Sequence, residues 1–127
     1  ITSNRRIHAV GFTETPERYL AAADLFCLPS YREGFGSVVI EAGAMRLPSV
    51  VTRVTGLVDA VVDEETGVVV PPKDVTALTG ALRRLVTNPD LRLRMGDASR
   101  ARALHSFDAD LVNGLVVAEY RRLLGVS

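Results

Sequence analysis

The stretch LFCLPSYREGFGSVVIEAGAMRLPSVVT, residues 25–52, decides the fold. It opens on a continuous apolar run, Leu25-Phe26-Cys27-Leu28, stopped by Pro29. Such a run reads as a strand buried on both faces. Residues 36–45 are helical by composition and length. Ser49-Val50-Val51-Thr52, β-branched and preceded by Pro48, reads as another strand. Strand, helix and strand in that order predict a parallel pair joined by a crossover helix. Glu33 and Glu41 stand on either side of a Gly34-Phe35-Gly36 turn, with seven residues between them. Carboxylates facing a hydroxyl-rich ligand act as bidentate acceptors. A Gly-rich turn that leads into a helix exposes backbone N–H groups to an anion. One short segment therefore combines acceptors for hydroxyls with a cradle for phosphate, a combination that suits a nucleotide-sugar.

Working outward, Ile7-His8-Ala9-Val10 reads as a further strand ended by Gly11. Residues 16–23 read as a short helix, with Thr15 as N-cap and Pro16 at its first position. Downstream, residues 57–62 suggest a short helix, and Gly67-Val68-Val69-Val70 is a strand ended by Pro71-Pro72. A helix over 74–87 carries its apolar stripe at Val75, Leu78, Leu82, Leu85 and Val86. Asn88 and Pro89 break it. A second helix, over 91–106, carries Leu91, Met95, Ala98 and Ala101, and a last one spans 107–124. The class is α/β: about four apolar strands form a parallel sheet with helices on both faces, against about five or six strands in an average sheet. One or two strands are expected to be missing from the N-terminal side. Ligands bind such sheets outside the carboxyl ends of their strands, where residues 30–36 fall.

A length of 127 residues fits one domain with a real core. Hydrophobic residues make up 47% and charged residues 24%, as in globular rather than disordered chains. Lys+Arg and Asp+Glu both number 15, so broad electrostatic capture of nucleic acid or an anionic membrane is not expected. No apolar run approaches the roughly 20 residues that span a bilayer. Cys27 is the sole cysteine, which makes a reducing, cytoplasmic compartment the default. His8 and His105 stand alone without partners at metal-binding spacing, so no metal is expected. The chain does not begin with Met, which suggests a segment of something longer.

In this order and with these neighbours, PERYLAAADLFCLPS, EGFGSVVIEAGA, LPSVVT, the 56–59 turn, ETGVVVPPKD and LRLRM followed by Phe107 make the chain similar to a known family. It resembles the C-terminal domain of retaining glycosyltransferases of the family 4, glycogen-synthase-like type, whose two-domain fold is called GT-B. The likeness runs nearly end to end and implies a Rossmann-like domain. Residues 1–127 would be the nucleotide-sugar (donor) binding half of a two-domain enzyme, inactive without its N-terminal Rossmann-like partner.

By that resemblance Glu33 is the catalytic-site acid that accepts hydrogen bonds from the donor sugar. The amides of Gly34, Phe35, Gly36 and Ser37 meet the sugar and diphosphate, Glu41 holds the ribose hydroxyls, and Gly11 and Phe12 line the nucleobase pocket. The donor is a UDP- or GDP-type sugar, with no cofactor and no metal. Bacterial polysaccharide biosynthesis is the implied setting, with the full-length protein cytoplasmic or peripheral to the membrane.

Several positions depart from the family pattern. Arg46 and Glu64 stand where glycine is usual, and a non-glycine residue in a left-handed conformation is strained by roughly 1 kcal/mol. Gly43 lies inside the predicted helix, where Ala would be better by about 1 kcal/mol. Thr55 replaces the first of two glycines in the loop before Asp59, which leaves the choice of sugar open.

Plainer readings stand beside these. Glu33 and Glu41 are solvated acids if the spacing is taken alone, and Gly34 and Gly36 also suit a simple tight turn. Phe12 equally suits the core, Asp59 a helix brace, and Tyr31 packing. Cys27 reads as an inert buried thiol, His105 as a helix-end group, and the arginines between 92 and 102 as solvated surface. The alternative function is a non-catalytic nucleotide- or partner-binding module of GT-B type. Epimerisation or hydrolysis of a sugar nucleotide would need further acid and base residues, and none are evident.

Overall fold

Ser49-Val50-Val51-Thr52 forms β2 (Ser49–Thr52), the centre of the sheet, and its two valines are fully buried on opposite faces. The computed structural model describes residues 6–9, 16–29, 37–54, 57 and 60–108. Among them the element order is α1 (Pro16–Ala22), β1 (Phe26–Leu28), α2 (Ser37–Ala44), β2, β3 (Gly67–Val70), α3 (Val75–Val86) and α4 (Pro89–Asp108). The three strands are parallel in the order β1-β2-β3. Cys27 lies opposite Val50, and Val50 opposite Val68.

Side-chain alternation sorts the strands into two layers. Val50, Val68, Val70 and the half-buried Cys27 pack against Ala81 and Leu85 of α3 and Leu91 and Met95 of α4. On the other face Val51 and Val69, with Phe26 and Leu28, meet Val39 of α2, Leu57 and Val61. A third cluster joins Leu20 of α1, Ala42 and Ala44 of α2, Met45, Leu47 and Ala103 of α4. Helices therefore cover both faces, as the apolar strands require. Full burial of one such aliphatic side chain stabilises by about 1.5–3 kcal/mol.

The helix ends are closed by local chemistry. Asp74 is extended (φ −119°) and its carboxylate accepts the Ala77 N–H at 2.9 Å, an N-cap for α3. At the other end the Arg92 Nη1 donates to the Leu85 and Val86 carbonyls at 2.8 and 2.7 Å, a cation at the negative pole of α3. Asn88 accepts the Leu91 N–H at 3.1 Å, and Pro89 takes the first position of α4. The turn that breaks one helix thus starts the next, two residues earlier than 91.

Some expectations are corrected. Residues 7–9 form no strand: they pair with none of the described strands and are exposed, Ile7 by 47%. A short apolar run makes a strand only where a neighbour offers a ladder, and its pattern does not supply one. The described sheet accordingly has three strands rather than four, and β1 lies at its edge, which is why its residues are half-buried instead of sealed on both faces.

Of the predicted helix over 57–62, the described residues 57 and 60–62 form turns and irregular chain rather than a helix. Leu57 N–H donates to Val54 O and Ala60 N–H to Leu57 O, and the Val62 N–H is taken by the Thr66 hydroxyl at 2.9 Å. On α3, Val75 and Val86 are 76% and 61% exposed because the stripe outruns the packing at both helix ends. On α4 the buried line runs Leu91, Met95, Ser99, Ala103 rather than through Ala98 and Ala101, since the helix packs on α3 first and α2 later. Phe107 and Asp108 continue α4, and the rest of the predicted last helix lies outside the described residues.

Candidate functional site

Parallel strands put every helix-leading loop at the carboxyl edge of the sheet, and β1 leads into α2 in this way. α2 begins at Ser37, directly after Gly34-Phe35-Gly36 in the sequence. Glu41 follows four residues later, about 6 Å along the axis at about 1.5 Å per residue. In the helix SVVIEAGA it is the single charged residue. Its neighbours Val39, Ala42 and Ala44 are buried, whereas Glu41 is half-buried.

Of the predicted site residues, Ser37 opens α2 and Glu41 stands one turn inside it. Glu33, Gly34, Phe35, Gly36, Gly11 and Phe12 lie outside the described residues, as do Tyr31, Thr55 and Asp59. The same edge carries a shallow cleft of about 80 Å³, which the sequence reading had not singled out. Pro29 beyond β1, Thr52 at the end of β2, and Pro71, Lys73 and Asp74 beyond β3 line it. Its signal in the sequence is only that each residue closes or follows a strand. It is too small for a nucleotide, for which sites of about 300 Å³ or more are usual. A larger hollow, about 330 Å³, lies at the amino ends of β1 and β2, lined among others by Asp24, Met45, Arg46 and Leu93. That is the wrong end of a parallel sheet for a ligand, so size does not choose the site here.

The two departures from glycine are where the sequence placed them. Arg46, beyond the end of α2, has φ 64°, and Glu64 has φ 68°, both left-handed. Lys73, at φ 58°, is a third and was not anticipated. Each of the first two is held by a partner. Arg46 Nε lies 3.7 Å from Asp97 Oδ1, and Arg84 donates twice to Glu64, at 2.8 and 2.7 Å. The Arg84 hydrogen bonds hold the Glu64 carboxyl below its ordinary range, helped by the charges of Arg84 and Arg94. Burial pushes the Cys27 thiol up, as befits an unreactive cysteine. Among the described residues no three His, Cys, Asp or Glu side chains gather as metal ligands, and no helix is long and apolar enough to cross a membrane.

A parallel sheet with helices on both faces and a helix amino end at its carboxyl edge is the Rossmann-like α/β class. Residues 3–102 match the family described as Glycosyl transferases group 1, and the chain belongs to that family. It is 32% identical over 112 residues to the capsular polysaccharide biosynthesis glycosyltransferase CapM of Staphylococcus aureus, which covers 88% of this chain and 30% of CapM. Among solved structures, sucrose-phosphate synthase of Thermosynechococcus elongatus matches at a TM-score of 0.70 and 37% identity, over 86% of this chain and 27% of that one. S. aureus TarM, solved with fondaparinux, alpha-GlcNAc-glycerol and UDP, matches at 0.72 and 24% identity, over 84% of this chain and 22% of that one, a likeness of fold. The structural neighbours are GT-B glycosyltransferases, in agreement with the resemblance read from the sequence. The chain spans less than a third of the length of the curated relatives it matches.

Proposed function

We propose that this chain is the donor-binding domain of a retaining glycosyltransferase, which moves a sugar from a nucleotide-diphosphate-sugar to an acceptor. One observation carries the reading: α2 starts at the carboxyl edge of the sheet, directly after Gly34-Phe35-Gly36 in the sequence, and presents Glu41 as its single charged residue. The family match and the relatives' names support the reaction class, and the UDP in TarM supports the ligand class. Glu41 accepts from the ribose hydroxyls and Glu33 from those of the donor sugar. The first amides of α2 face the diphosphate, and the helix dipole with those N–H groups stabilises the charge that grows on the leaving group.

Base recognition falls to the Gly11–Phe12 segment. The donor is of UDP or GDP type, and no cofactor takes part. The acceptor and the remaining phosphate contacts belong to an N-terminal Rossmann-like domain, so these 127 residues transfer nothing alone. The setting that fits is cytoplasmic polysaccharide assembly, with the whole protein at or near a membrane surface.

Titration calorimetry of the intact protein with UDP, GDP and their sugar conjugates tests the proposal. Glu41→Ala is expected to weaken nucleotide binding by about tenfold or more, the loss of hydrogen bonds to a charged group. Glu33→Ala is expected to leave the nucleotide in place and abolish the added affinity of the sugar. No heat with any of these ligands at millimolar concentration overturns it.

A further inference from the structure

α4 grips α2, and the grip falls on the side of α2 opposite Glu41. Gly43 faces Ser99. A Cβ at Gly43 would lie 3.0 Å from the Ser99 carbonyl oxygen, 3.2 Å from Ser99 Oγ and 3.4 Å from Ala103 Cβ. The tightest of these is main chain, which no rotamer change relieves. α4 has little room to retreat, because its own hold lies elsewhere. Ser99 Oγ donates to the carbonyl of Thr66, the residue before β3, at 3.3 Å, and both residues are buried. Three residues earlier, a Cβ at Gly96 would come within 2.2 Å of the Arg46 carbonyl oxygen, just beyond the end of α2. Two glycines on two helices thus bring the backbones together, and Leu91 and Met95 fix α4 in the core below.

At about 100° per residue, Glu41 lies about 200° around α2 from Gly43. Whatever pushes α2 off α4 therefore pushes it toward the side that carries the carboxylate. We infer that Gly43, seated against the Ser99 backbone, is a positioning residue for the nucleotide site: it sets how far α2 stands from α4 and hence where Glu41 meets its ligand. The inference rests on the reading of Glu41 as a nucleotide ligand. A methyl group at position 43 displaces α2 by a few tenths of an ångström. Hydrogen bonds to a charged acceptor weaken over that range, since their geometry is narrow.

The test is a cycle on the intact protein: Gly43→Ala, Glu41→Ala and the double variant, each titrated with UDP and GDP by calorimetry. Gly80→Ala is the control, because a Cβ there meets nothing within 4 Å. Gly43→Ala is expected to weaken nucleotide binding about fivefold, and Gly80→Ala to leave it unchanged. The double variant is expected to bind no worse than Glu41→Ala, since the carboxylate that Gly43 positions is already gone. Wild-type affinity in Gly43→Ala overturns the inference, and so does an undiminished loss in the Glu41→Ala background, which marks general damage to the fold. If Gly43→Ala does not fold, Ser99→Ala takes its place. It removes the tie to Thr66 and is expected to cost about twofold in affinity, again only when Glu41 is present. Wild-type affinity there, or a loss that survives without Glu41, likewise overturns the inference. An unchanged affinity in Glu41→Ala alone is a different failure, that of the nucleotide site itself.

Discussion

Gly96→Ala and Gly80→Ala are the same chemical change on two helices of one domain, and the structure assigns them opposite signs. At Gly80 the new methyl group meets nothing within 4 Å, so only the helix preference of Ala acts, worth about 1 kcal/mol of stabilisation. At Gly96 the methyl carbon starts 2.2 Å from the Arg46 carbonyl oxygen, with the Arg46 carbonyl carbon at 3.1 Å. Reaching even 3.0 Å requires about 0.8 Å of movement in a packed interior, where overpacking costs about 1–3 kcal/mol. The obstacle is backbone, so the upper end applies. After about 1 kcal/mol of helix preference is returned, the net loss is about 2 kcal/mol. The two variants should therefore differ by about 3 kcal/mol. Denaturant unfolding followed by far-ultraviolet circular dichroism, with the slope m unchanged across the set, reads that gap directly. If Gly96→Ala is as stable as Gly80→Ala, α2 and α4 do not approach as closely as described, and the positioning argument for Gly43 falls with them.

Arg46→Gly trades left-handed strain, about 1–2 kcal/mol, against an exposed and long ion pair with Asp97 and the greater freedom of Gly in the unfolded chain. A net gain of up to about 1 kcal/mol in the same unfolding assay is expected, and a loss of more than that would mean the ion pair outweighs the strain. The Glu64–Arg84 pair gives a pH signature. Glu64 titrates lower in the folded chain than its usual 4.5, so its stabilisation is fully present above about that pH and is lost as pH falls through the depressed folded value. The pair is exposed, so the effect should stay below about 1 kcal/mol. Arg84→Met should abolish that part of the acid-side slope, measured as stability between pH 3 and 6 (roughly the carboxylate range), and an unchanged slope would refute the assignment.

How far the fold was legible varies from element to element, for physical reasons. The run Leu25–Leu28 and the run Ser49–Thr52 declared themselves because strands of a parallel sheet covered by helices are mainly apolar or β-branched. Asp74 as the opening of α3 and Asn88-Pro89 as the junction of two helices were equally plain, since caps act through the three or four residues beside them. Ile7–Val10 failed for the opposite reason: a strand is a relation between two segments, and composition describes only one. Leu57–Val62 failed because a competitor, the Thr66 hydroxyl, takes the Val62 N–H that a helix would have used. The α4 stripe was right at Leu91 and Met95 and misplaced at Ala98 and Ala101, because the two halves of the helix answer to different neighbours, α3 and then α2.

Gly43 shows why a site can be read in part and still be misjudged. The acids at 33 and 41, which we propose share one ligand, sit within nine residues, so that reading needs only one short stretch of the chain. Judged by the same local rule, Gly43 is a defect, a residue that lowers helix preference by about 1 kcal/mol. Its value depends on Ser99 and Ala103, which lie more than fifty positions away and reach it only after the sheet and two helices have assembled. A helix that carries a half-buried carboxylate has its orientation fixed by what packs behind it, and close packing behind requires that no Cβ intervene. Local stability is therefore lower at position 43 than Ala would make it in an isolated helix, and the close approach that results holds Glu41 at a fixed distance from α4. The same logic makes Gly96 obligatory while Gly80, on the open side of α3, is free to change.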